Sequence, residues 1–434
     1  MSQPNLISAS PPPPASREHK SHLTLSRRGL CILIAVLVLP WAAMGLLSRP
    51  RAAKAPAPPA PAVAAQASGI GQPCRPGPWG QVTTVELLLE PPEEYVQTGW
   101  DGALTSVWHF AGMKESEVVD VLQQAGLPAA QHQALADRQN WRISPAGVDL
   151  YPPDAVLLAM PPQPRERLYS RLAALPGNAV QTTPYTFLPG QFEDQVASSN
   201  VSTGTVAMVE HMLYRRGSVL LLSDMYAALN ALSNRAERLA LVQSVARMRT
   251  LMLRLRVDGS SDIEGLVAYW GKGGRAKSLR PLLAAMSRVP GGCDIDIVNL
   301  LPDFARRRLN TFPTPDPLGD GAGHDCYWSA INFFSENTLI PPPEFGHLNE
   351  LIRKSYFQLP GEPTFGDLLF LVLPSGESIH AAVYIADGIV FTKNGGFSQQ
   401  PWMLMRMDDL ALAYGGNRVQ QEPISVLAWR RTDF

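Results

Sequence analysis

Apolar and polar positions alternate in short segments along the C-terminal third of the chain. Asp387-Gly388 lies between two of these segments and is a strong hairpin signal. A helix is predicted over 326–334, before the segments begin. The alternation predicts strands over 368–373, 379–386, 388–392 and 425–429. A helix followed by strands without intervening helices predicts an α+β fold with an antiparallel sheet.

Residues 80–300 show a mixed, mostly helical pattern. A helix over 114–127 is predicted to end near Gly126. Ser261 and Glu264 fit a capping box, and 272–275 predicts a break between helices. One helical stripe is predicted from apolar residues at steps of four, three, four and three: Leu241, Val245, Met248, Met252 and Leu255. No motif in this region points to a function.

The longest apolar run is 29–47, which contains 19 residues without a charge. As a helix it would span roughly 28 Å, close to the hydrocarbon thickness of a bilayer. We therefore predict a transmembrane signal anchor, preceded by a disordered tail over 1–28 and followed by a Pro/Ala-rich linker over 48–79. A cleaved signal peptide is the alternative, with cleavage near Ala55 or Ala65.

Charges beside this run indicate its orientation. Four basic residues precede the span and three follow it, which favours a single-pass membrane protein whose C-terminal part lies on the periplasmic or extracytoplasmic side. The segment 26–30 also resembles a twin-arginine export signal, although adjacent arginines before a span are common.

The amino-acid composition argues against several classes of protein. The 434 residues carry a net charge of -1, which disfavours binding to nucleic acid, and 45% are hydrophobic, which supports a sizeable core. Four cysteines, Cys31, Cys74, Cys293 and Cys326, are too few for a disulfide scaffold or a multi-cysteine zinc module. Cys74 and Cys293 either pair in an oxidising compartment or remain thiols. We predict no cofactor and no metal site.

Two residues carry candidate chemistry. Cys326 follows Asp325 at the predicted helix start, where backbone N–H groups and the helix dipole stabilise a thiolate. His380 alternates with the aliphatic residues of its strand, so that it faces away from them and is able to serve as a general base. A buried structural cysteine and an incidental strand histidine are the alternatives.

Together these segments resemble the NlpC/P60 superfamily of papain-like cysteine peptidases and amidases. The resemblance lies in Asp325-Cys326, then Gly366-Asp367 opening a strand, then His380 in a hairpin, and it covers roughly 320–395. It implies that 301–434 form a domain with a helix packed on an antiparallel sheet. It also implies a cysteine nucleophile, a histidine base and hydrolysis of amide bonds, often in cell-wall peptides.

The chain departs from that family at two points. Bulky Tyr327 and Trp328 follow the cysteine where the family has a small residue. The third polar residue, which orients the histidine, depends on the hairpin register. A three-residue loop places Asn394 opposite His380, whereas a two-residue loop places Lys393 there. We predict Asn394, with Thr392 as the alternative.

The sequence thus predicts a membrane-anchored cysteine hydrolase of the bacterial cell envelope. Its partners would be a peptide or peptidoglycan substrate and the membrane, with no nucleic acid. The alternative is a catalytically inactive module of the same fold that binds or scaffolds in the envelope.

Overall fold

The structure is a computed structural model. It describes residues 63–96, 104–197, 199–314, 324–336, 345–396, 399–416, 418 and 422–434. The predicted tail and the predicted span over 29–47 lie outside these residues, as does Cys31. Within the described ranges, none of the helices combines the length and apolarity needed to cross a bilayer.

The strands fall into two groups along the chain. The first ten are β1 (Val63–Pro73), β2 (Gln81–Glu90), β3 (Trp108–Ala111), β4 (Trp141–Ser144), β5 (Gly147–Leu150), β6 (Tyr185–Phe187), β7 (Tyr214–Arg216), β8 (Val219–Leu222), β9 (Met248–Val257) and β10 (Cys293–Asp296). The later six are β11 (Tyr356–Gln358), β12 (Leu368–Val372), β13 (Ser378–Ala386), β14 (Ile389–Lys393), β15 (Trp402–Arg406) and β16 (Ser425–Arg431).

Helices alternate with the early strands and flank the later ones. Up to residue 245 they are α1 (Glu93–Val96), α2 (Glu115–Gln124), α3 (Ala129–Ala136), α4 (Asp154–Ala159), α5 (Pro162–Ala173), α6 (Ala179–Thr182), α7 (Gln191–Ala197), α8 (Thr203–Met212), α9 (Met225–Ala231) and α10 (Arg235–Val245). Beyond it they are α11 (Ile263–Trp270), α12 (Ala276–Met286), α13 (Asp303–Arg308), α14 (Cys326–Ile331), α15 (Phe345–Ser355) and α16 (Met407–Gly416).

Antiparallel pairing builds every sheet of the described residues. The largest has the strand order β11-β16-β12-β13-β14-β15. A four-stranded sheet has the order β1-β2-β9-β10, and two three-stranded sheets have the orders β3-β5-β4 and β6-β8-β7. The predicted α+β class with antiparallel sheets is therefore confirmed.

One hydrophobic core joins the four-stranded and six-stranded sheets. It contains Leu253 and Leu255 of β9, Trp270 of α11, and Val383 and Phe391 of the hairpin β13–β14. The opposite face of the six-stranded sheet packs on Leu410 of α16. A separate core fills the region from Val96 to Val245. Because the first core includes residues on both sides of position 300, the predicted boundary there does not coincide with a break in packing.

The predicted helical stripe over 241–255 is wrong. Helix α10 ends at Val245, and Met248 already begins β9. Leu251, Leu253 and Leu255 are buried at alternate positions, which is the period of a strand.

Arginines on and beside this strand form ion pairs with carboxylates of neighbouring elements. Arg247 pairs with Glu90, and Arg249 pairs with Asp194.

Of two local predictions near residue 265, the helix break is confirmed and the capping residue is wrong. The predicted break over 272–275 is confirmed, since α11 ends at Trp270 and α12 begins at Ala276. The N-cap of α11 is Asp262, whose carboxylate accepts a hydrogen bond from the Gly265 backbone N–H, and not the predicted Ser261. Ser261 instead donates to Asp258 in the preceding turn.

Candidate functional site

Helix α14 begins at the candidate nucleophile. Asp325 is its N-cap, and the Asp325 carboxylate accepts a hydrogen bond of 2.8 Å from the Trp328 backbone N–H. A carboxylate at this position satisfies an unpaired donor of the first turn and fixes where the helix starts. Cys326 is therefore the first helical residue, as the sequence predicted.

The two bulky residues after the cysteine anchor this helix to the sheet. The Tyr327 hydroxyl donates a 2.6 Å hydrogen bond to the Ser378 carbonyl at the start of β13, and the Tyr327 ring stacks on Phe370 of β12. Trp328 packs edge-on against Phe304. These side chains hold Cys326 at a set position beside β13, which is a structural reason for the departure from the family pattern.

Burial determines the protonation state of the Cys326 thiol, and the exposed fraction of this residue is 7%. Backbone N–H groups of Ala381, Tyr327 and Cys326 favour the thiolate, as expected for a helix start. Loss of hydration opposes them more strongly and raises the pKa of the thiol to about 12. The expectation of a stabilised thiolate is thus wrong for this state of the protein, because the cost of desolvation exceeds the effect of the helix start.

The hairpin β13–β14 turns at the two residues that the sequence indicated. Asp387 has φ 45° and Gly388 has φ 71°, the left-handed pair typical of a type I′ turn. The loop has two residues, because Ala386 pairs with Ile389. A bulge then shifts the register, so that Tyr384 pairs with Val390. The shift keeps Lys393 off the histidine face despite the short loop.

Thr392, and not Asn394, contacts the histidine. His380 Nε2 and Thr392 Oγ1 are 2.7 Å apart. The Thr392 hydroxyl donates to Asn394 Oδ1 at 3.2 Å. Because this hydroxyl has only one proton to donate, Nε2 must be the donor to Thr392. The prediction of direct contact by Asn394 is therefore wrong, and the alternative, Thr392, makes the contact. The bulge puts both residues on the histidine face, but the strand ends at Lys393 and Asn394 lies one hydrogen bond further along.

This arrangement fixes the tautomer of the neutral imidazole. With the proton on Nε2, the other ring nitrogen, Nδ1, carries a free lone pair. His380 is fully buried, and Nδ1 has no hydrogen-bond partner among the described residues. Burial lowers the pKa of His380 to about 3, so the ring is neutral at pH 7. The site thus contains a neutral base with an unused acceptor.

The structure brings Cys326 to the β13 residue that follows His380, but it does not bring the two side chains into contact. The Ala381 backbone N–H acts on the sulfur, and Ala381 directly follows the histidine. Helix α14 packs on the Val383 face of the sheet, whereas His380 pairs with Leu371 on the opposite face. Within the described part of the chain the two side chains share no hydrogen bond, since Nε2 is bonded to Thr392 and Nδ1 to nothing.

Tyr414 of α16 covers the imidazole. Its ring centroid lies 4.3 Å from that of His380, with an angle of 32° between the planes. Burial raises the pKa of the Tyr414 hydroxyl, and Cys326 adds to this effect, which places the tyrosine near both candidate residues. Neither the strand pattern nor the family resemblance pointed to Tyr414, because it comes from a helix that packs over the sheet.

Lys393 lies beside the cysteine instead of the histidine. Its ammonium donates to the Gly395 carbonyl at 2.7 Å and lies 5.8 Å from the Trp402 ring centroid. Burial lowers the pKa of Lys393 to about 8, while Cys326 and Asp325 act in the opposite direction. A positive charge near the sulfur favours a thiolate. Sequence analysis considered this lysine only as a poor partner for His380.

Asp367 of the Gly-Asp motif has a structural role. It is fully buried, and its carboxylate accepts two hydrogen bonds, of 2.9 and 2.6 Å, from the Arg430 guanidinium. The Thr364 backbone N–H donates to the same carboxylate at 2.7 Å. These bonds join β12 to the last strand, β16, and so support the strands that carry the hairpin.

The described residues form neither a disulfide nor a metal site. Cys74, Cys293 and Cys326 are free thiols in this structure. Within the described ranges no three His, Cys, Asp or Glu side chains converge as a metal site would require.

Comparisons with known proteins give no relative to reason from. The chain matches no family model, no curated protein and no solved structure. The resemblance to NlpC/P60 enzymes rests on the short motifs alone.

Proposed function

We propose that the protein is a cysteine hydrolase that cleaves amide bonds, with Cys326 as nucleophile and His380 as base. One observation carries the proposal: a buried histidine is held through Nε2 by Thr392, its Nδ1 has no partner among the described residues, and the next residue of its strand, Ala381, donates its backbone N–H to the Cys326 sulfur. Buried polar atoms without a partner are rare in proteins and cluster at functional sites.

The proposed reaction begins with transfer of the Cys326 thiol proton to His380 Nδ1. The thiolate attacks the carbonyl carbon of the substrate amide, and the Cys326 backbone N–H helps to hold the oxyanion. The C–N bond then breaks, and His380 gives its proton to the leaving amine. Water attacks the resulting thioester, releases the acid and restores the thiol. Lys393 stabilises the negative charge on sulfur during the first step.

The site needs an opening step before a substrate enters. Cys326 is 7% exposed, His380 is fully buried, and the Tyr414 ring covers the imidazole. Movement of Tyr414 would admit water to the sulfur and remove much of the burial that holds the thiol pKa near 12. We therefore propose that the described state is closed and that α16 moves when substrate binds.

The substrate class and the location follow from the sequence. Motifs similar to those of NlpC/P60 enzymes favour peptides of the cell wall as the substrate. The apolar run over 29–47 favours a membrane anchor that keeps the hydrolase on the extracytoplasmic side.

Uncovering the site tests the proposal. Tyr414→Ala in the full chain should increase the rate at which iodoacetamide labels Cys326 by about tenfold or more, because thiolate access limits this reaction. The same variant should hydrolyse peptidoglycan fragments faster than the wild type. Tyr356→Ala removes another buried tyrosine, away from His380, and is the matched control, which should change neither rate.

Two further variants assign the activity to the dyad. Cys326→Ala, placed in the Tyr414→Ala background, should abolish hydrolysis. His380→Ala should reduce it roughly 100-fold or more, as expected for loss of a general base. Hydrolysis that survives Cys326→Ala would overturn the proposed nucleophile.

A non-catalytic binding module is the second candidate. The observation in its favour is that both side chains are neutral and buried without a hydrogen bond between them. Rapid labelling of Cys326 in Tyr414→Ala with no hydrolysis of any peptidoglycan fragment would favour this candidate, because the thiol would then be accessible yet inactive.

A further inference from the structure

A second candidate site lies in a cavity of about 340 Å³ away from the cysteine and histidine. The cavity is enclosed by the start of α12, the start of α13 and the residues that follow α14. Polar atoms form most of its surface. Its charged lining residues are Arg275, Arg306, Asp303 and Glu336.

Arg275 is held in place by backbone carbonyls and by the Phe365 ring, whose centroid lies 5.6 Å from the guanidinium carbon. Its guanidinium donates to the carbonyls of Trp270, Lys272 and Leu300, which leaves two of its five N–H donors unused among the described residues. None of the described carboxylates accepts a hydrogen bond from it. Burial and the nearby Arg306 lower its pKa to about 10, so it is still charged at pH 7.

Arg306 shares its only described carboxylate partner. Asp303 pairs with Arg306 and also with Arg307, so two guanidinium groups compete for one negative charge. Glu336 is exposed to solvent, where water screens its charge. The inner part of the cavity therefore has more positive charge than its own acidic residues offset.

The surrounding surface adds to this imbalance. Residues 271–290 contain no acidic residue and five basic ones, namely Lys272, Arg275, Lys277, Arg280 and Arg288. Arg280 pairs with Glu264 of the preceding helix. A concentration of one sign of charge around a concave site attracts ligands of the opposite sign. This is notable in a chain whose net charge is -1.

We propose that this cavity binds a phosphate-type oxyanion between the guanidinium groups of Arg275 and Arg306. Planar guanidinium groups donate paired hydrogen bonds to oxyanions, and a phosphate offers more acceptor oxygens and more charge than a carboxylate. The group would belong either to a free phosphate compound or to a lipid headgroup. This site does not depend on the proposed hydrolase activity.

Titration of the full chain with inorganic phosphate at low ionic strength, followed by calorimetry, tests the site. We expect saturable binding that Arg306→Gln weakens about tenfold or more, since one charged partner is lost. Asp303 keeps Arg307 in this variant, so the fold should be preserved. Arg275→Gln should weaken binding similarly, and a thermal melt of each variant checks that it is folded.

Arg280→Gln is the matched control, because Arg280 belongs to the same basic surface but does not line the cavity. It should change phosphate affinity less than about twofold. Binding that does not saturate, or that falls equally in Arg306→Gln and Arg280→Gln, would overturn the proposal in favour of general attraction by the surface.

A water-soluble, short-chain phosphatidic acid distinguishes the two sources. Affinity at least about tenfold higher than that for inorganic phosphate, and lost in Arg306→Gln, would indicate a lipid headgroup. Equal affinity for the two probes would indicate a free phosphate compound.

Discussion

Two buried polar clusters in this molecule are built differently. In the region before residue 245, the Arg165 guanidinium pairs with Asp224 and donates to the carbonyls of Leu157 and Met160 at 2.6 and 2.9 Å. The Tyr169 hydroxyl donates to the same carboxylate at 2.6 Å. In the six-stranded sheet, buried His380 has a single hydrogen bond to the described part of the chain, from Nε2 to Thr392, and the buried Cys326 thiol has none to the histidine.

This difference in hydrogen bonding distinguishes a cluster that stabilises the fold from one that is a candidate catalytic site. In the Arg165 cluster charge is matched by charge, and only the guanidinium Nε lacks a partner. In the His380 cluster an acceptor nitrogen has no partner among the described residues, and the adjacent strand residue, Ala381, hydrogen-bonds the Cys326 sulfur. An unused acceptor costs about 1–3 kcal/mol, so a purely structural role would favour its replacement by an apolar residue. The His380 cluster is therefore the better candidate for chemistry, although both are equally buried.

Breaking the Arg165 cluster should have the largest effect. Asp224→Asn keeps the shape but leaves the Arg165 charge buried without a carboxylate. We expect the free energy of unfolding to fall by about 3–5 kcal/mol, measured by urea titration followed by circular dichroism.

An exposed ion pair provides the control for that measurement. Asp194→Asn removes one of the two carboxylates that pair with Arg249 at the surface, leaves Glu86 in place, and should cost no more than about 1 kcal/mol. Equal losses for Asp224→Asn and Asp194→Asn would show that the buried cluster is not a structural centre.

The His380 cluster should respond to pH instead. The pKa of His380 is about 3 in the folded protein, against 6.5 for a free histidine, so between these values the unfolded chain binds more protons. Stability therefore falls as the pH decreases below 6.5, by up to about 1.4 kcal/mol for each pH unit from this group. Comparing the wild type with His380→Gln, we expect the variant to lose about 1.6 kcal/mol less between pH 6.5 and 5. Parallel curves for the two proteins would mean that the imidazole titrates freely.

The smallest effect is expected at the residue that orients the histidine. Thr392→Val removes the hydrogen-bond partner that the structure shows for His380 Nε2 and should lower the free energy of unfolding by about 1–2 kcal/mol. Side-chain ¹⁵N NMR of His380 should show the Nε2–H tautomer in the wild type and a mixture in the variant. Thr392→Ser keeps the hydroxyl and should restore a single tautomer. An unchanged spectrum in Thr392→Val would contradict the orienting role.

Local pattern was sufficient for the C-terminal strands. The predicted ranges 379–386 and 388–392 differ by one residue at their ends from β13 and β14, and Asp387-Gly388 forms the turn. Strong alternation and a turn that favours positive φ are properties of neighbouring residues, so they can be read without the rest of the chain.

The same reasoning failed where one apolar run fits two periods. The segment between 241 and 255 holds apolar residues at helical steps and also an alternating set, Leu251, Leu253 and Leu255, of which only Leu255 belongs to the predicted stripe. Leucine and methionine are frequent there, so either template finds matches. The pairing of this segment with β2 and β10 decides in favour of a strand, and those partners are more than thirty residues away in the chain.

The amino-acid sequence by itself determined the α+β class, the cysteine at a helix start and the histidine on a hairpin strand, because each depends on residues close in the chain. Tertiary structure decided three further features. They are the bulge that puts Thr392 on the same face of the sheet as His380, the helix that brings Tyr414 over the imidazole ring, and the burial that keeps the thiol and the imidazole neutral. The strand register, the position of the covering helix and the loss of hydration all arise from contacts between segments that are distant in the chain. The charge state of a residue follows from this environment more than from its neighbours in the chain.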